Sequence, residues 1–417
     1  MELSNRSQGI GEQQRWVLMD GLRGLALFGI LLVNLRLMSA PSMAFGDLSL
    51  WSGAWSEGAL LLSAFLFDGA FWTLFALLSG AGFGVMMGST PPPLPGEGGR
   101  SGPPPLGIGM PAYRRRLLLI GCFGLLHVLL LWYGDILMIY ALAGIALPWF
   151  VGRRTRTLLL WAVHLILLPA GLMLLMVAGA SLLPAEELAD LADWVREDSE
   201  GWVQYLTESY RSADFGVLVR ARVEEYCYDL WSVAALVPTA LGVMLLGMLL
   251  GRQGRFRLDA AQGGFFRKLF WWALPCALVG KLAYTFAHAF WIRGGDLFSF
   301  QANAGFVLGF TMGGLASAGV LLCGVRAWYR SAVGVWLQDS LASAGRMALT
   351  LYLMQSLIAG FIFNGYGLGL YGEVPPYALW GIGVVIFAGQ LLFARFWFAR
   401  FAKGPLEYLL RRFTYWG

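Results

Sequence analysis

The sequence predicts an all-α, polytopic membrane protein, a bundle of about ten transmembrane helices with both termini on the cytoplasmic side. Three observations support this fold class. The 417 residues are 58% hydrophobic and only 13% charged, whereas about 25% of the residues of a soluble domain are charged. Apolar runs long enough to cross a hydrocarbon core of about 30 Å recur along the chain. Arginines are concentrated in every second loop between these runs.

Ten apolar runs are predicted to span the membrane. They lie at residues 17–39, 59–87, 115–133, 135–151, 157–180, 231–251, 269–291, 302–324, 343–364 and 376–399. The second run contains Asp68 and Gly69, so we expect a tilted or broken helix there. The first run lacks a small-residue cleavage site before a polar segment, so we expect a retained helix and no detachable signal peptide.

Basic residues predict the orientation, because cytoplasmic loops are enriched in Lys and Arg. The clusters at residues 114–116, 153–156, 252–268, 326–330 and 400–412 all fall on one side when ten spans are counted. We therefore expect a multi-pass protein of the bacterial inner membrane. The net charge of +5 does not indicate a nucleic-acid partner, since the basic residues lie in short loops at helix ends. Membrane lipids are the expected surroundings.

The chain 1–417 is predicted to form a single transmembrane bundle with two polar interruptions. Residues 89–111 are rich in Pro and Gly and predict a flexible cytoplasmic linker. Residues 181–230 are acidic and predict an extracytoplasmic segment with amphipathic helices, since apolar residues recur at helical spacing around Leu188 and Trp194. The four cysteines are scattered, so neither a disulfide framework nor a metal site is predicted.

Ionisable side chains inside apolar runs are costly and therefore mark candidate sites. Asp20 and Arg23 lie one turn apart at the start of the first span. They can form an ion pair at the helix end, or Arg23 can bind an anionic ligand from the cytoplasm. His127 lies deep in the third span, and a turn at Gly134 can return Asp135 to it. This histidine can be a general base tuned by the carboxylate, or a hydrogen-bonded core residue.

Two further spans carry polar groups. Lys281, Tyr284 and His288 share one stripe of the seventh span, which suits the wall of a polar cavity or a path for an anionic substrate. Gln355 in the ninth span is a candidate substrate contact or a bond between helices. No soluble-enzyme motif such as a P-loop or GxSxG is present, so any chemistry must take place within the bundle.

Several blocks of the sequence resemble a known family. They are VLMDGLRGLALFGILLVNL, TLFALLSGAGFG, LLHVLLLWYGDILMIYALAG, GRMALTLYLMQS, NGYGLGLYG and RFAKGPLEYLLR. In order and spacing they are similar to the YeiB-like bacterial membrane proteins, whose C-terminal half, here 231–417, carries the domain of unknown function 418. The resemblance implies membership of a wider group of membrane acyltransferases, which includes acyltransferase type 3 proteins and heparan-alpha-glucosaminide N-acetyltransferase.

What the resemblance implies is transfer of an acyl group, acetyl above all, from cytoplasmic acyl-CoA to an unknown acceptor at or across the membrane. His127 and Asp135 then occupy the catalytic position, and Asp20 and Arg23 match a shared DxxRG signature at the acyl-CoA side. Two alternatives stay open: a transporter or exporter of an anionic substrate that uses Lys281 and His288 without covalent chemistry, and a lipid-binding scaffold. The oligomeric state is not determined by the sequence.

Overall fold

The computed structural model describes residues 2–42, 50–87, 109–258 and 262–415, and side chains from residue 17 onward. These ranges contain helices and turns but no β-strand. The α-helices are α1 (Glu2–Ser39), α2 (Ala54–Leu66), α3 (Ala70–Met86), α4 (Met110–Leu130), α5 (Leu137–Ala146), α6 (Thr155–Ala180), α7 (Ala185–Arg211), α8 (Phe215–Tyr228), α9 (Leu230–Arg252), α10 (Gly263–Ile292), α11 (Phe300–Leu308), α12 (Gly314–Tyr329), α13 (Val335–Arg346), α14 (Ala348–Phe363), α15 (Pro376–Phe398) and α16 (Pro405–Thr414).

The predicted all-α membrane bundle is confirmed, and the predicted count of ten spans stays a prediction. Within the described residues, seven helical stretches are long and apolar enough to cross a membrane, or eight if the bent pair of α13 and α14 forms one span. Every predicted span coincides with a helix. Two of them are not among these seven or eight stretches, because the first two turns of α4 include Arg114–Arg116 and α5 has ten residues, extended only by a 3-10 turn at Leu147–Phe150. The cytoplasmic location of both termini stays a prediction.

Large apolar side chains point outward from the bundle, as a lipid-facing surface requires. On α6, Leu160, Leu175 and Met176 are all about 70% exposed. The inward faces form two packed clusters, one around α3 and α9 and the other around α1, α14 and α15. The protein is therefore a multi-pass membrane protein.

Glycines allow the closest helix contacts in the bundle. Gly80 and Gly84 of α3 lie on the backbone of Met244 and Met248 of α9. In turn, Gly247 and Gly251 of α9 lie on the backbone of Leu77 and Ala81 of α3. This small-xxx-small arrangement lets two membrane helices approach backbone to backbone. The α1 helix packs against α13 in a similar way, since Gly24 lies on the backbone of Leu341.

Breaks in two spans shape the interior. The expected break at Asp68 and Gly69 is present, because α2 ends at Leu66 and Gly69 has a φ of +75°, a left-handed conformation that favours glycine. The second break lies between α13 and α14, which meet at an angle of 86°. Each break frees backbone groups inside the bundle, and these groups need partners.

The two polar interruptions differ in what the structure describes. Residues 181–230 form α7 and α8 with short connections, and their extracytoplasmic location stays a prediction. Along α7, Leu188 and Leu191 are half-buried whereas Trp194 is 62% exposed, so Trp194 lies off the half-buried stripe. The predicted linker 89–111 lies outside the described residues up to residue 108.

Candidate active site

His127 lies between a carboxylate and a hydroxyl in the interior of the bundle. Its Nδ1 is 3.0 Å from Oδ1 of Asp135, and its Nε2 is 2.7 Å from Oγ of Ser356. All three side chains are buried. Nδ1 and Oδ1 are within ion-pair distance, but the ring N–H does not point directly at this carboxylate oxygen. The contact between Nε2 and the Ser356 hydroxyl is a hydrogen bond. We call this arrangement the His127 row.

The local sequence explains how Asp135 reaches His127. The α4 helix ends at Leu130, the chain turns, and Asp135 folds back so that its Oδ2 accepts a 2.6 Å hydrogen bond from the backbone N–H of Met138 in α5. A carboxylate that accepts from the first turn of a helix also stabilises that turn. Gly124 makes room for this contact, because a Cβ there would lie 2.7 Å from Oδ2 of Asp135. The predicted approach of Asp135 to His127 is what the structure shows.

A cavity of about 360 Å³ lies next to the His127 row. Its lining includes three arginines, Arg23, Arg116 and Arg346, together with one carboxylate, Glu407. Most other lining side chains are apolar or aromatic. Tyr352 forms its wall towards His127, with the two ring centroids 5.1 Å apart. The Tyr352 hydroxyl also accepts a 3.4 Å hydrogen bond from the backbone N–H of Ile136. The cavity therefore connects a basic opening with the immediate surroundings of the histidine.

The C-terminal helix α16 holds the start of α14 in place after the sharp bend. Glu407 accepts hydrogen bonds from the N–H groups of Leu349 and Thr350 at 2.8 and 3.1 Å and from the Thr350 hydroxyl at 2.6 Å. A carboxylate suits the positive end of a helix dipole. Glu407 thereby fixes the helix that carries both Tyr352 and Ser356, which gives the RFAKGPLEYLLR block a structural role.

Arg23 and Asp20 form the ion pair that was one of the two roles expected for them, and binding of an anionic ligand by Arg23 stays a prediction. Nη1 of Arg23 lies 3.0 Å from Oδ1 of Asp20, so they form the expected ion pair within one turn. The Arg23 side chain is 25% exposed and lines the cavity, whereas Asp20 does not line it. Asp20 therefore contacts the cavity only through Arg23.

The predicted substrate residues of α10 lie around Asp68, not at the cavity. Oδ2 of Asp68 is 2.9 Å from Nη2 of Arg36 and accepts a 3.3 Å hydrogen bond from the Tyr284 hydroxyl. Lys281 donates to the backbone carbonyl of Asp68, which the helix break leaves available. The His288 ring packs 4.6 Å from that of Tyr284. We call Asp68, Arg36, Lys281 and Tyr284 the Asp68 cluster, and none of its members lines the cavity.

Adjacent residues of α14 have different surroundings. Gln355 donates a 2.9 Å hydrogen bond to Oε1 of Gln390 on α15, so it links helices, one of the two roles expected for it. Ser356, which the sequence analysis did not single out, faces His127. Neighbouring helical positions point about 100° apart. The sequence offers no signal for which of the two faces the histidine.

A third buried carboxylate lies where α8 meets the end of α4. Glu225 accepts a 2.7 Å hydrogen bond from the Tyr210 hydroxyl, and Arg222 donates a 2.8 Å hydrogen bond to the Leu130 carbonyl. Burial raises the pKa of Glu225 to about 8, although Tyr210 and Arg222 act in the opposite direction. At neutral pH its carboxyl group is therefore largely protonated.

Comparisons with known proteins agree with the resemblance seen in the sequence. Residues 250–417 match the family described as a protein of unknown function, DUF418. The chain is 29% identical to the uncharacterized protein YxaH of Bacillus subtilis (strain 168), over 96% of this chain and 94% of YxaH. It is 28% identical to the uncharacterized protein YeiB of Escherichia coli (strain K12), over 96% of each chain. No solved structure matches it significantly. Over nearly its whole length the chain is therefore similar to YeiB-like proteins, and its C-terminal residues 250–417 match DUF418.

Proposed function

We propose that the protein is an acyltransferase of the bacterial inner membrane that takes an acyl group from cytoplasmic acyl-CoA. The observation that carries this proposal is the cavity that runs from Arg23, Arg116 and Arg346 to Tyr352, whose ring packs on His127. It joins a basic opening, suited to phosphates, to a buried histidine with a carboxylate partner.

The chemistry of the cavity lining fits acyl-CoA in parts. Guanidinium groups bind phosphate oxygens through paired N–H donors, so the three arginines suit the nucleotide end. The apolar walls suit the pantetheine arm and a short acyl chain, because ligand cavities bury mostly apolar surface. The thioester would then lie against Tyr352, one aromatic ring away from His127.

His127 would act as the general base. Its Nε2 faces a hydroxyl, and its Nδ1 faces Asp135, whose negative charge stabilises the imidazolium that forms when Nε2 accepts a proton. The buried site excludes water, which strengthens these electrostatic interactions. Such a base contributes about 10²- to 10⁴-fold to a rate.

The test compares two histidine variants in detergent-purified protein. The assay measures acetyl-CoA binding by calorimetry and CoA release from acetyl-CoA with hydroxylamine as a small surrogate acceptor. His127→Gln is expected to lower CoA release about 10²-fold or more while acetyl-CoA affinity stays within about threefold. The matched control is His164→Gln, since His164 is exposed on α6 and should leave both unchanged. Failure of the wild-type protein to bind acetyl-CoA, or full activity of His127→Gln, would reject the proposal.

The second candidate is transport of an anionic substrate, which the Asp68 cluster favours. Discontinuous helices at mid-membrane often carry transporter binding sites. Here the break between α2 and α3 brings Arg36 to the carboxylate of Asp68 and Lys281 to its backbone carbonyl. Binding of small anions without any CoA release in the same assay would favour this candidate over the acyltransferase.

A further inference from the structure

We propose that Ser356 carries the acyl group as a serine ester between donor and acceptor, so that transfer proceeds through two successive displacements. This inference rests on the proposed acyltransferase function and deepens it. The observation is that Ser356 Oγ lies 2.7 Å from Nε2 of His127, while Asp135 lies at the opposite nitrogen. Acid, base and hydroxyl thus lie in the order that activates a serine nucleophile.

The geometry argues against direct activation of the acceptor by His127. In the neutral imidazole, a single nitrogen is free to accept a proton, and the carboxylate at Nδ1 favours the tautomer in which this nitrogen is Nε2. Ser356 occupies Nε2 inside a closed core. The hydroxyl that loses its proton to His127 is therefore that of Ser356, and an external acceptor would first have to displace it.

Two cavities lie near this serine, and Ser356 lines one of them. Tyr352, one turn before Ser356 on α14, lines the basic cavity. Ser356 itself lines a narrow second cavity of about 10 Å³, just enough for one water molecule. Gly360, Asn364 and Tyr210 of α7 also line this second cavity, and it shares no lining residue with the basic cavity. With the donor approaching from the basic cavity and the acceptor through the second one, an acyl-serine would allow transfer without both being bound together.

The two steps balance. In the first, Oγ of Ser356 attacks the thioester carbonyl, its proton passes to Nε2 of His127, the C–S bond breaks, and the proton leaves on the CoA sulfur. In the second, an acceptor hydroxyl gives its proton to Nε2 and attacks the ester carbonyl, and the C–Oγ bond breaks as Ser356 regains a proton. The Tyr352 hydroxyl, and Nε1 of Trp132, which has no acceptor among the described residues, are available to stabilise the oxyanions.

An exchange assay tests the acyl-serine without knowledge of the acceptor. Detergent-purified protein is incubated with acetyl-CoA and isotope-labelled CoA, and the label that enters acetyl-CoA is measured. An acyl-enzyme makes this exchange possible in the absence of any acceptor. We expect exchange by the wild-type protein, a loss of at least about 10²-fold in Ser356→Ala, and acetyl-CoA affinity within about threefold. Mass spectrometry should locate one acetyl group on residue 356.

Two further variants control for a simple loss of structure. Thr239→Val removes a buried hydroxyl that donates only to the carbonyl of Ala235 in its own helix, and exchange should be unchanged. Ser356→Cys keeps a nucleophile, so it should exchange and carry an acetyl thioester that neutral hydroxylamine cleaves.

Each other outcome overturns the inference in a distinct way. Exchange in Ser356→Ala at the wild-type rate, or acetylation of His127, would exclude the acyl-serine. Absence of exchange in a wild-type protein that still binds acetyl-CoA and releases CoA through His127 would exclude it too, yet leave the proposed function intact. Absence of acetyl-CoA binding would reject both.

Discussion

The His127 row and the Asp68 cluster are both groups of buried ionisable residues, and they differ in what they face. His127 contacts Asp135 on one side and Ser356 on the other, and two cavities adjoin the row. Asp68 contacts a guanidinium, an ammonium and a phenol, and no residue of its cluster lines the cavity next to His127. The first arrangement can exchange a proton with a ligand, whereas the second consists of mutual contacts within the protein.

The comparison shows that a costly residue in a membrane span has two different explanations. An ionisable group inside the bilayer needs a partner or a function. At Asp68 the contacts lie within the protein, because Arg36 and Tyr284 contact one carboxylate oxygen and Lys281 contacts the carbonyl freed by the helix break. At His127 the partners are Asp135 and Ser356, and the proposed function uses them as a carboxylate, a base and a hydroxyl in sequence next to the cavity. We therefore expect the Asp68 cluster to affect stability and the His127 row to affect turnover.

The largest expected effect is on stability at Asp68. Asp68→Ala removes the buried carboxylate that pairs with Arg36 and accepts from Tyr284, which is expected to lower the free energy of unfolding by about 3–5 kcal/mol. Thermal unfolding in detergent measures the loss. The matched control is Glu57→Ala, which breaks an exposed pair with Arg293 and should cost about 1 kcal/mol or less. A stable Asp68→Ala protein with impaired turnover would reverse the comparison.

The next effect is the pH dependence of stability that the buried carboxylate of Glu225 should cause. Because its pKa is raised from 4.5 to about 8, the folded protein binds this proton more tightly than the unfolded chain does. The resulting stability is fully present below about pH 4.5 and is lost as the pH rises to about 8. Between pH 6 and pH 8 we expect a loss of roughly 2 kcal/mol, seen as a falling melting temperature.

Substitutions at two neighbouring residues test whether Glu225 causes this pH dependence. Glu225→Gln should flatten the pH profile of the melting temperature. Glu224→Gln should not, because the adjacent Glu224 is exposed and hydrogen-bonds to Tyr205 and Arg220, which lower its pKa. An unchanged slope in Glu225→Gln would assign the pH dependence to other groups.

A smaller effect, on CoA release, is expected from a substitution that moves the Asp135 carboxylate away from His127 while Asp135 itself is kept. In Gly124→Ala the new Cβ would lie 2.7 Å from both Oδ2 of Asp135 and the N atom of Met138, so the carboxylate must move. We expect CoA release to fall about 10- to 100-fold, since Asp135 no longer stabilises the imidazolium. Gly121→Ala is the control, because its Cβ would meet Ala141 at an ordinary 3.6 Å. Equal rates of CoA release in the two variants would show that the position of Asp135 does not affect the reaction.

The smallest effect is expected at the basic opening. Arg23→Lys keeps the charge but loses the planar fork that suits phosphate, so acetyl-CoA affinity should fall by up to about tenfold while the fold is retained. Calorimetry with acetyl-CoA measures the change. Arg330→Lys, an exposed residue that does not line the cavity, is the control. Unchanged affinity in Arg23→Lys would leave Arg23 as the ion-pair partner of Asp20 alone.

Much of the architecture was predictable from local patterns. Apolar runs and a charged residue beside a glycine predicted the helices and the break at Asp68, because both depend on the solvent and on the backbone at those positions. The number of spans was less predictable. The apolar runs at α4 and α5 are long enough in the sequence, but in the structure α4 includes three arginines and α5 has only ten residues. The meeting of Asp135 with His127 was also accessible, because the two residues lie on either side of one turn.

The sequence by itself thus determined that the protein lies in a membrane, where its helices are, which proteins it resembles and that His127 is a candidate, since each of these depends on composition, periodicity or a contiguous block of sequence. Only the tertiary structure decided that Ser356 and not Gln355 faces His127, and that Lys281 donates to the backbone carbonyl of Asp68. The physical reason is that these contacts join residues more than 200 positions apart. Their formation depends on the rotation and bend of whole helices, which packing sets and local sequence does not.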